Sequence, residues 1–424
     1  MSHKGKGRLK KFFKMLGPGL ITGASDDDPS GITTYSQAGA QYGYSTLWTS
    51  PITFPLMASI QEMCARIGMA TSQGLTSVLK QHYPKWVMYV MVLFSFPAIV
   101  MNIGADIAGM GAVANLVFPK VDAAYFSVVF TIILLVCIVF FSYREIAAVL
   151  KFLVMVLLVY IIVPFLVHAD VMEIITATCI PHIEFTKEYF GILVAILGTT
   201  ISPYLFFWQT DMEVEEMEER HKGHKKVIVP SSRAFHNMRT DVNIGMFFSN
   251  LVMYFIVLTA GAVLAKNGIH KIETVEQAAD ALKPIAGDMA YYLFAIGVIG
   301  TGFLAIPVLT GALSYIFSEA FGWQKGLSKK FHEAKEFYII IAISLILGLS
   351  LNYIGISPVN ALLYSAILYG VTAPVIIAII LHICNNKQIM GTHTNRRRAN
   401  ILGGLTLVLM TLAALALLYF LVVA

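Results

Sequence analysis

Eleven apolar segments of membrane-spanning length divide the chain, near 12–40, 46–67, 86–117, 123–141, 146–168, 190–211, 241–265, 289–320, 337–351, 355–383 and 400–424. Several are longer than the roughly 20 residues a bilayer needs, which implies tilt or extension beyond the hydrocarbon. Charged residues make up 13% of the chain and hydrophobic ones 57%, where soluble domains carry about 25% charged residues. So few polar side chains cannot cover the surface of a soluble protein of this length. The composition argues for an all-α polytopic membrane protein and against a disordered chain, a disulfide scaffold or a nucleic-acid binder. Cys64, Cys137, Cys179 and Cys384 are scattered with no CxxC pair, so they read as inert thiols. A cleavable leader is disfavoured, because Lys14 and Pro18 interrupt the first apolar run.

Charge orients the spans. With the N-terminus inside, the inner segments hold 25 of the 30 Lys and Arg, and the outer loops hold only Lys120, Lys187, Lys266, Lys271 and Lys283. That bias follows the positive-inside rule, and one missed or invented helix would destroy it. The expectation is eleven helices, N-terminus cytoplasmic and C-terminus outside. The compact loops suit a bacterial inner membrane.

Two spans cannot be plain helices. The first contains Asp26-Asp27-Asp28-Pro29-Ser30-Gly31, three acids followed by a helix breaker. Carboxylates in hydrocarbon are costly, so these must face protein or water. The sixth contains Gly198-Thr199-Thr200-Ile201-Ser202-Pro203. Unwound backbone at membrane depth survives only inside protein or along a cavity. The breaks open two consecutive sets of five helices, so an odd repeat places the second half upside down. Interrupted segments at matching positions point to an inverted-repeat transporter with its site between them. The expected organisation is one transmembrane domain, 1–424, with repeats over 1–168 and 190–383 and an accessory helix over 400–424.

The first two spans carry more than a general pattern. Leu16-Gly17-Pro18-Gly19, Asp28-Pro29-Ser30-Gly31, Gln37-Ala38-Gly39-Ala40-Gln41-Tyr42-Gly43-Tyr44 and Gln61-Glu62-Met63-Cys64-Ala65-Arg66-Ile67-Gly68 keep their mutual spacing. Together with Thr71 and Gly74-Leu75, they resemble the NRAMP family of divalent metal-ion transporters. The resemblance extends more loosely over the rest of the chain, including 301–315. It implies a LeuT-like fold with the metal held between the breaks of helices 1 and 6.

The departures from the family pattern are informative. Family members have Asp-Pro-Gly-Asn in helix 1, with the Asp and Asn side chains on the metal; here the positions are Asp28 and Gly31. They have Met-Pro-His in helix 6, where this chain reads Ser202-Pro203-Tyr204, without the thioether or the His associated with proton movement. The family's acidic pair in helix 3 aligns loosely to Ile103 and Asp106. This combination resembles the NRAMP-related magnesium transporters. Oxygen ligands suit magnesium, calcium and manganese, whereas sulfur favours softer ions. Magnesium dehydrates reluctantly and is commonly held by one or two carboxylates with waters retained. The expected metal site is therefore Asp28, the Gly31 backbone, hydroxyls or carbonyls at Thr199, Thr200 and Ser202, and water.

Asp26 and Asp27 are read as entrance charges or solvated acids, Asp106 as a structural acid or part of an ion path, and Tyr204 as packing or cavity lining. Glu62 and Arg66, one turn apart, suit an ion pair or, for Glu62, a weaker place along the vestibule. The acid run 213–219 and the following 221–226 read as a solvated face or gate linker. No P-loop, HExxH motif or catalytic carboxylate pair is present, so an enzyme and ATP-driven pumping lack support. No cofactor is expected, with Mg2+ or Mn2+ as cargo. The expected partners are divalent cations and the lipid bilayer; no protein partner is implied. Alternatives are a proton-coupled Mn2+/Fe2+ importer of the main family type, or a sodium-coupled amino-acid transporter, disfavoured because three acids would repel a substrate carboxylate. A membrane enzyme or receptor is the most distant reading.

Overall fold

The computed structural model describes residues 17–141, 145, 155–167, 169–220 and 230–423. Among them there is no strand; the chain is a helical bundle. The first span is two helices, α1 (Pro18–Asp26) and α2 (Pro29–Tyr42). It is followed by α3 (Thr49–Thr71), the short α4 (Leu75–His82), α5 (Lys85–Val117) and α6 (Ala123–Phe140). A surface helix, α7 (Val171–Cys179), precedes the sixth span, again split, into α8 (Lys187–Thr200) and α9 (Pro203–Arg220). Then come α10 (Ser232–Val263), α11 (Ala290–Phe321), α12 (Lys335–Leu351), α13 (Pro358–Asn385) and α14 (Arg397–Val423).

Seven of these units are long and apolar enough to cross a bilayer on those criteria alone. The others expected from the sequence are the broken first span, the second, the short ninth and the fifth. The fifth, expected over 146–168, is described only from 155, as a 3-10 turn Met155–Ile161 and a short helix Val163–Leu166. Arg144, Lys151, the basic segment 4–14 and the stretch 221–226 lie outside the described residues.

Both breaks are built alike. Pro29 and Pro203 each open the second half of their span rather than merely ending the first. At a helix's first position the missing proline N–H costs nothing and the fixed φ is already helical. Asp28, extended at φ −72° and ψ 172°, caps α2 by accepting a hydrogen bond from the Gly31 N–H.

The halves interlock through small residues. α1 and α2 pack along α10, and α9 packs along α3, which is the pairing an inverted repeat produces. A Cβ on Gly19 would come within 2.6 Å of the Val242 amide nitrogen, and one on Gly39 within 2.7 Å of the Ala260 Cβ. Close backbone approach of this kind is how membrane helices associate without a hydrophobic drive. Asp241 of α10 locks the start of α1, accepting from Gly17 N at 2.8 Å and Gly19 N at 2.7 Å. A carboxylate there also meets the positive end of the helix dipole.

The acids at the end of α9 are not a solvated face. Asp211 and Glu213 are buried. Gln209 ties Glu213 (3.0 Å) to Thr22 of α1 (2.6 Å). Glu215 accepts from the Tyr315 hydroxyl and from Leu327 N. Lys325 bridges Asp211, at 2.5 Å, and Glu319, and Glu319 also accepts from Ser77 N of α4. The acid run reads as polar surface because the partners, Lys325 and Tyr315, lie about a hundred positions downstream. This cluster closes the end of the bundle at which α1 begins, hereafter the N-terminal end.

Burial alone would favour a neutral Lys325, but Asp211 and Glu319 outweigh it and hold the amine above its usual range. A raised lysine value means its contribution is intact below about pH 10 and is lost only as pH rises further. Lys325→Met leaves two buried carboxylates facing each other. Removing one partner of such a group costs about 3–5 kcal/mol. The expected result is a clear drop in thermal unfolding midpoint at pH 8, partly recovered at pH 5 as a carboxylate protonates; an unchanged midpoint at both values would show that the bridge does not hold the fold.

Candidate metal site

The two breaks meet at the centre of the bundle. Asp26, Asp27, Asp28, Thr199, Thr200 and Ser202 are all at most 2% exposed. Gly31 marks the point of convergence. A Cβ built on it would sit 3.3 Å from the Asp26 carbonyl, 3.3 Å from Thr199 Oγ1 and 3.4 Å from Asp28 Oδ1. Three oxygens from both breaks thus close tightly on position 31.

Asp28 is held from two sides. Its Oδ1 accepts from Gly31 N at 2.7 Å and its Oδ2 from Asn102 Nδ2 of α5 at 2.9 Å. An ionised carboxylate offers about four acceptor positions, so two donors leave room for a cation or its waters. Asn102 continues into a relay, its Oδ1 accepting from Ser365 Oγ of α13 at 3.0 Å. Ser365 Oγ in turn lies 3.0 Å from Ser30 Oγ.

The other expected donors divide. Thr199 turns its hydroxyl to position 31. Thr200 faces away, donating to Ile196 O at 2.6 Å and lying 3.2 Å from the Tyr35 hydroxyl. Ser202 Oγ donates to Thr199 O at 2.7 Å, covering a carbonyl that the end of α8 leaves without a helical partner. Tyr204 does more than line a cavity: its hydroxyl donates to Ser25 O at 2.9 Å and so ties α9 to the end of α1.

Asp26 and Asp27 are not solvated. Asp26 Oδ2 accepts from Ser249 of α10 at 2.7 Å, while Asp26 Oδ1 and Asp27 Oδ1 are buried without a hydrogen-bond partner. Both oxygens of the buried Asp106 likewise have none, and Asp106 lies within electrostatic reach of Asp28. Buried carboxylate oxygens in this number fit a site whose neutralising charge arrives with a cation. Among the described residues no three His, Cys, Asp or Glu side chains group closely enough to hold a metal alone. A cation here must draw on hydroxyls, carbonyls and water.

Glu62 stands apart. It pairs with Arg239 of α10 at 2.7 Å rather than with Arg66, whose Nη2 donates instead to Asn395 at 2.6 Å. Helical spacing allowed the pair within α3, but tertiary neighbours offered both side chains better-placed partners. Sequence reasoning also missed Asn102, Ser249 and Ser365. Asn102 carried a signal, being one turn before Asp106 in an otherwise apolar helix. Ile103, aligned loosely to a helix-3 acid, instead packs toward α12, where a Cβ on Gly348 would come within 2.6 Å of it. Asn102 is the residue of α5 that touches Asp28.

Two broken helices whose breaks meet at the centre of the bundle give the chain a LeuT-like fold, and its family makes it a membrane transporter, not an enzyme. The chain belongs to the Nramp family, described as natural resistance-associated macrophage protein-like, whose model matches residues 19–420. It is 24% identical over 398 residues to the divalent metal cation transporter MntH of Caldanaerobacter subterraneus subsp. tengcongensis, covering 93% of this chain and 90% of that protein. A Staphylococcus aureus MntH is also 24% identical, over 95% of this chain and 90% of its own length. Among solved structures, the Eremococcus coleocola manganese transporter bound to an aromatic bis-isothiourea compound superposes with a TM-score of 0.75 at 17% identity, covering 98% of this chain and 87% of that one. MhsT in complex with L-phenylalanine shares the fold at a TM-score of 0.62 and 12% identity, over 95% and 97% of the two chains.

Proposed function

We propose that the protein carries divalent cations across the membrane by alternating access, with Mg2+ as its physiological substrate and Mn2+ also accepted. The observation that supports this best is that the three atoms nearest to a Cβ built on Gly31 are all oxygens, one of them from the Asp28 carboxylate. Relatives named as divalent metal and manganese transporters support the coarser part. With no side chain at position 31 to add an amide ligand, the nearest donors are hard oxygens, which suit magnesium over softer ions. The orientation that places most basic residues in the cytoplasm puts the N-terminal end inside, in what we take to be a bacterial inner membrane.

Transport in this proposal needs no accompanying proton. Tyr204 replaces the family's histidine, and its hydroxyl is committed to Ser25 O. A membrane potential supplies about 2.3 kcal/mol per charge per 100 mV, or about 4.6 kcal/mol for a dication. That alone can concentrate the ion inward. Purified protein in liposomes loaded with a pH-sensitive dye should take up Mg2+ without stoichiometric internal acidification at clamped potential. Acidification that tracks Mg2+ uptake would overturn this and leave Asp106, Asp26 or Asp27 as the relay to test. It would also favour the proton-coupled manganese importer, to which the relatives' names point.

A further inference from the structure

We propose that a groove at the N-terminal end, between α3, α10 and α14, binds the phosphate headgroup of an anionic phospholipid. The groove encloses about 570 Å³ and is lined by Arg66, Arg239, Arg396, Arg397 and Arg398. Glu62 is its one acid, and Arg239 already holds it. Among the described residues none of Arg396, Arg397 and Arg398 is in an ion pair, and all three are exposed. Arg66 is only 7% exposed, and its Nε is buried with no hydrogen-bond partner. Guanidinium groups outnumbering the one carboxylate form a receptor for phosphate, which they engage in bidentate fashion.

The rest of the lining selects a lipid over a free anion. Phe54, Pro55, Ala58 and Leu402 form an apolar wall beside the arginines. Along α10 the wall runs on into a shallow groove lined by Phe247 and Phe248, both about half exposed. An acyl chain laid on that track places its phosphate among the guanidinium groups. Basic pockets between transmembrane helices hold anionic headgroups in this manner. The groove joins helices from both halves of the repeat with α14, so a bound lipid spans elements that alternating access must move relative to each other.

The test is native mass spectrometry of the purified full chain, titrated with dioleoylphosphatidylglycerol, dioleoylphosphatidylcholine and glycerol 3-phosphate. Phosphatidylglycerol should bind preferentially, and the triple variant Arg396→Gln, Arg397→Gln, Arg398→Gln should lose about tenfold or more in affinity for it. If the triple variant does not fold, Arg239→Gln carries the same expectation at smaller size, and Leu402→Asp weakens the lipid through its chain. Equal binding of the two lipids by the wild type would overturn the proposal, as would unchanged phosphatidylglycerol affinity in a folded variant. Glycerol 3-phosphate binding as tightly as the lipid would also overturn it, by making this a site for free anions.

Discussion

Asp28→Asn should abolish Mg2+ uptake into liposomes while leaving the protein folded. Asparagine caps a helix about as well as aspartate, so the start of α2 and its bond to Gly31 N survive. The asparagine Nδ2 then stands where Asp28 Oδ2 accepted from Asn102, so the Asn102 amide must turn over to present its own oxygen, with Ser365 accepting instead of donating. Beyond that local turn of an amide, what is lost is the charge. Removing one partner from a buried charged pair costs about 3–5 kcal/mol, equivalent to about two to four orders of magnitude in ion affinity. Asp28→Ala should fail equally in transport, with about 1 kcal/mol of additional destabilisation from the lost cap. The pair of variants therefore separates the electrostatic role of the side chain from its structural one. Uptake within a few-fold of wild type by well-folded Asp28→Asn would remove Asp28 from the metal site.

The second large effect concerns which ion is carried. Gly31→Asn combined with Ser202→Met should shift preference from Mg2+ toward Mn2+ or Cd2+ by about tenfold or more. The asparagine Cβ enters at 3.3–3.4 Å from Asp26 O, Thr199 Oγ1 and Asp28 Oδ1, a tight but tolerable fit. Its amide then occupies the space that waters of a hydrated ion would need. Methionine adds a thioether and releases Thr199 O, which Ser202 now covers. Both changes ask the ion to dehydrate further, and magnesium resists that most. Both positions adjoin Thr199, so their effects are coupled, and the double variant is the informative one. Competition uptake with Mg2+, Mn2+ and Cd2+ reads the outcome, and an unchanged order in the folded double variant would place the selectivity elsewhere.

Much of the architecture was legible before any coordinates. Helix positions followed from the length of apolar runs, and the two breaks from proline among acids or hydroxyl residues, because lipid permits few other arrangements. What stayed hidden was pairing over long separations. Nothing local to Glu62 announces Arg239, and nothing local to Asp211 announces Lys325. The same holds inside the site. Asp28 was evident as a carboxylate at a break, but Asn102, Ser249 and Ser365 are ordinary polar residues until the bundle brings them to the acids. Hydroxyl direction was also beyond sequence: Thr199 and Thr200 are neighbours, yet only Thr199 faces Gly31.

The cap on α2 has a consequence for the unloaded half of the transport cycle. A carrier that takes no co-ion must return across the membrane with nothing in its pocket, and an exposed negative charge would stall that journey. Asp28 faces the positive end of α2 and is held by Gly31 N and the Asn102 amide. Together these stand in for part of the departed ion's charge. At Asp28 a fixed partial counter-charge thus stays behind in the vacant state, which is what the proposed proton-free return would need there.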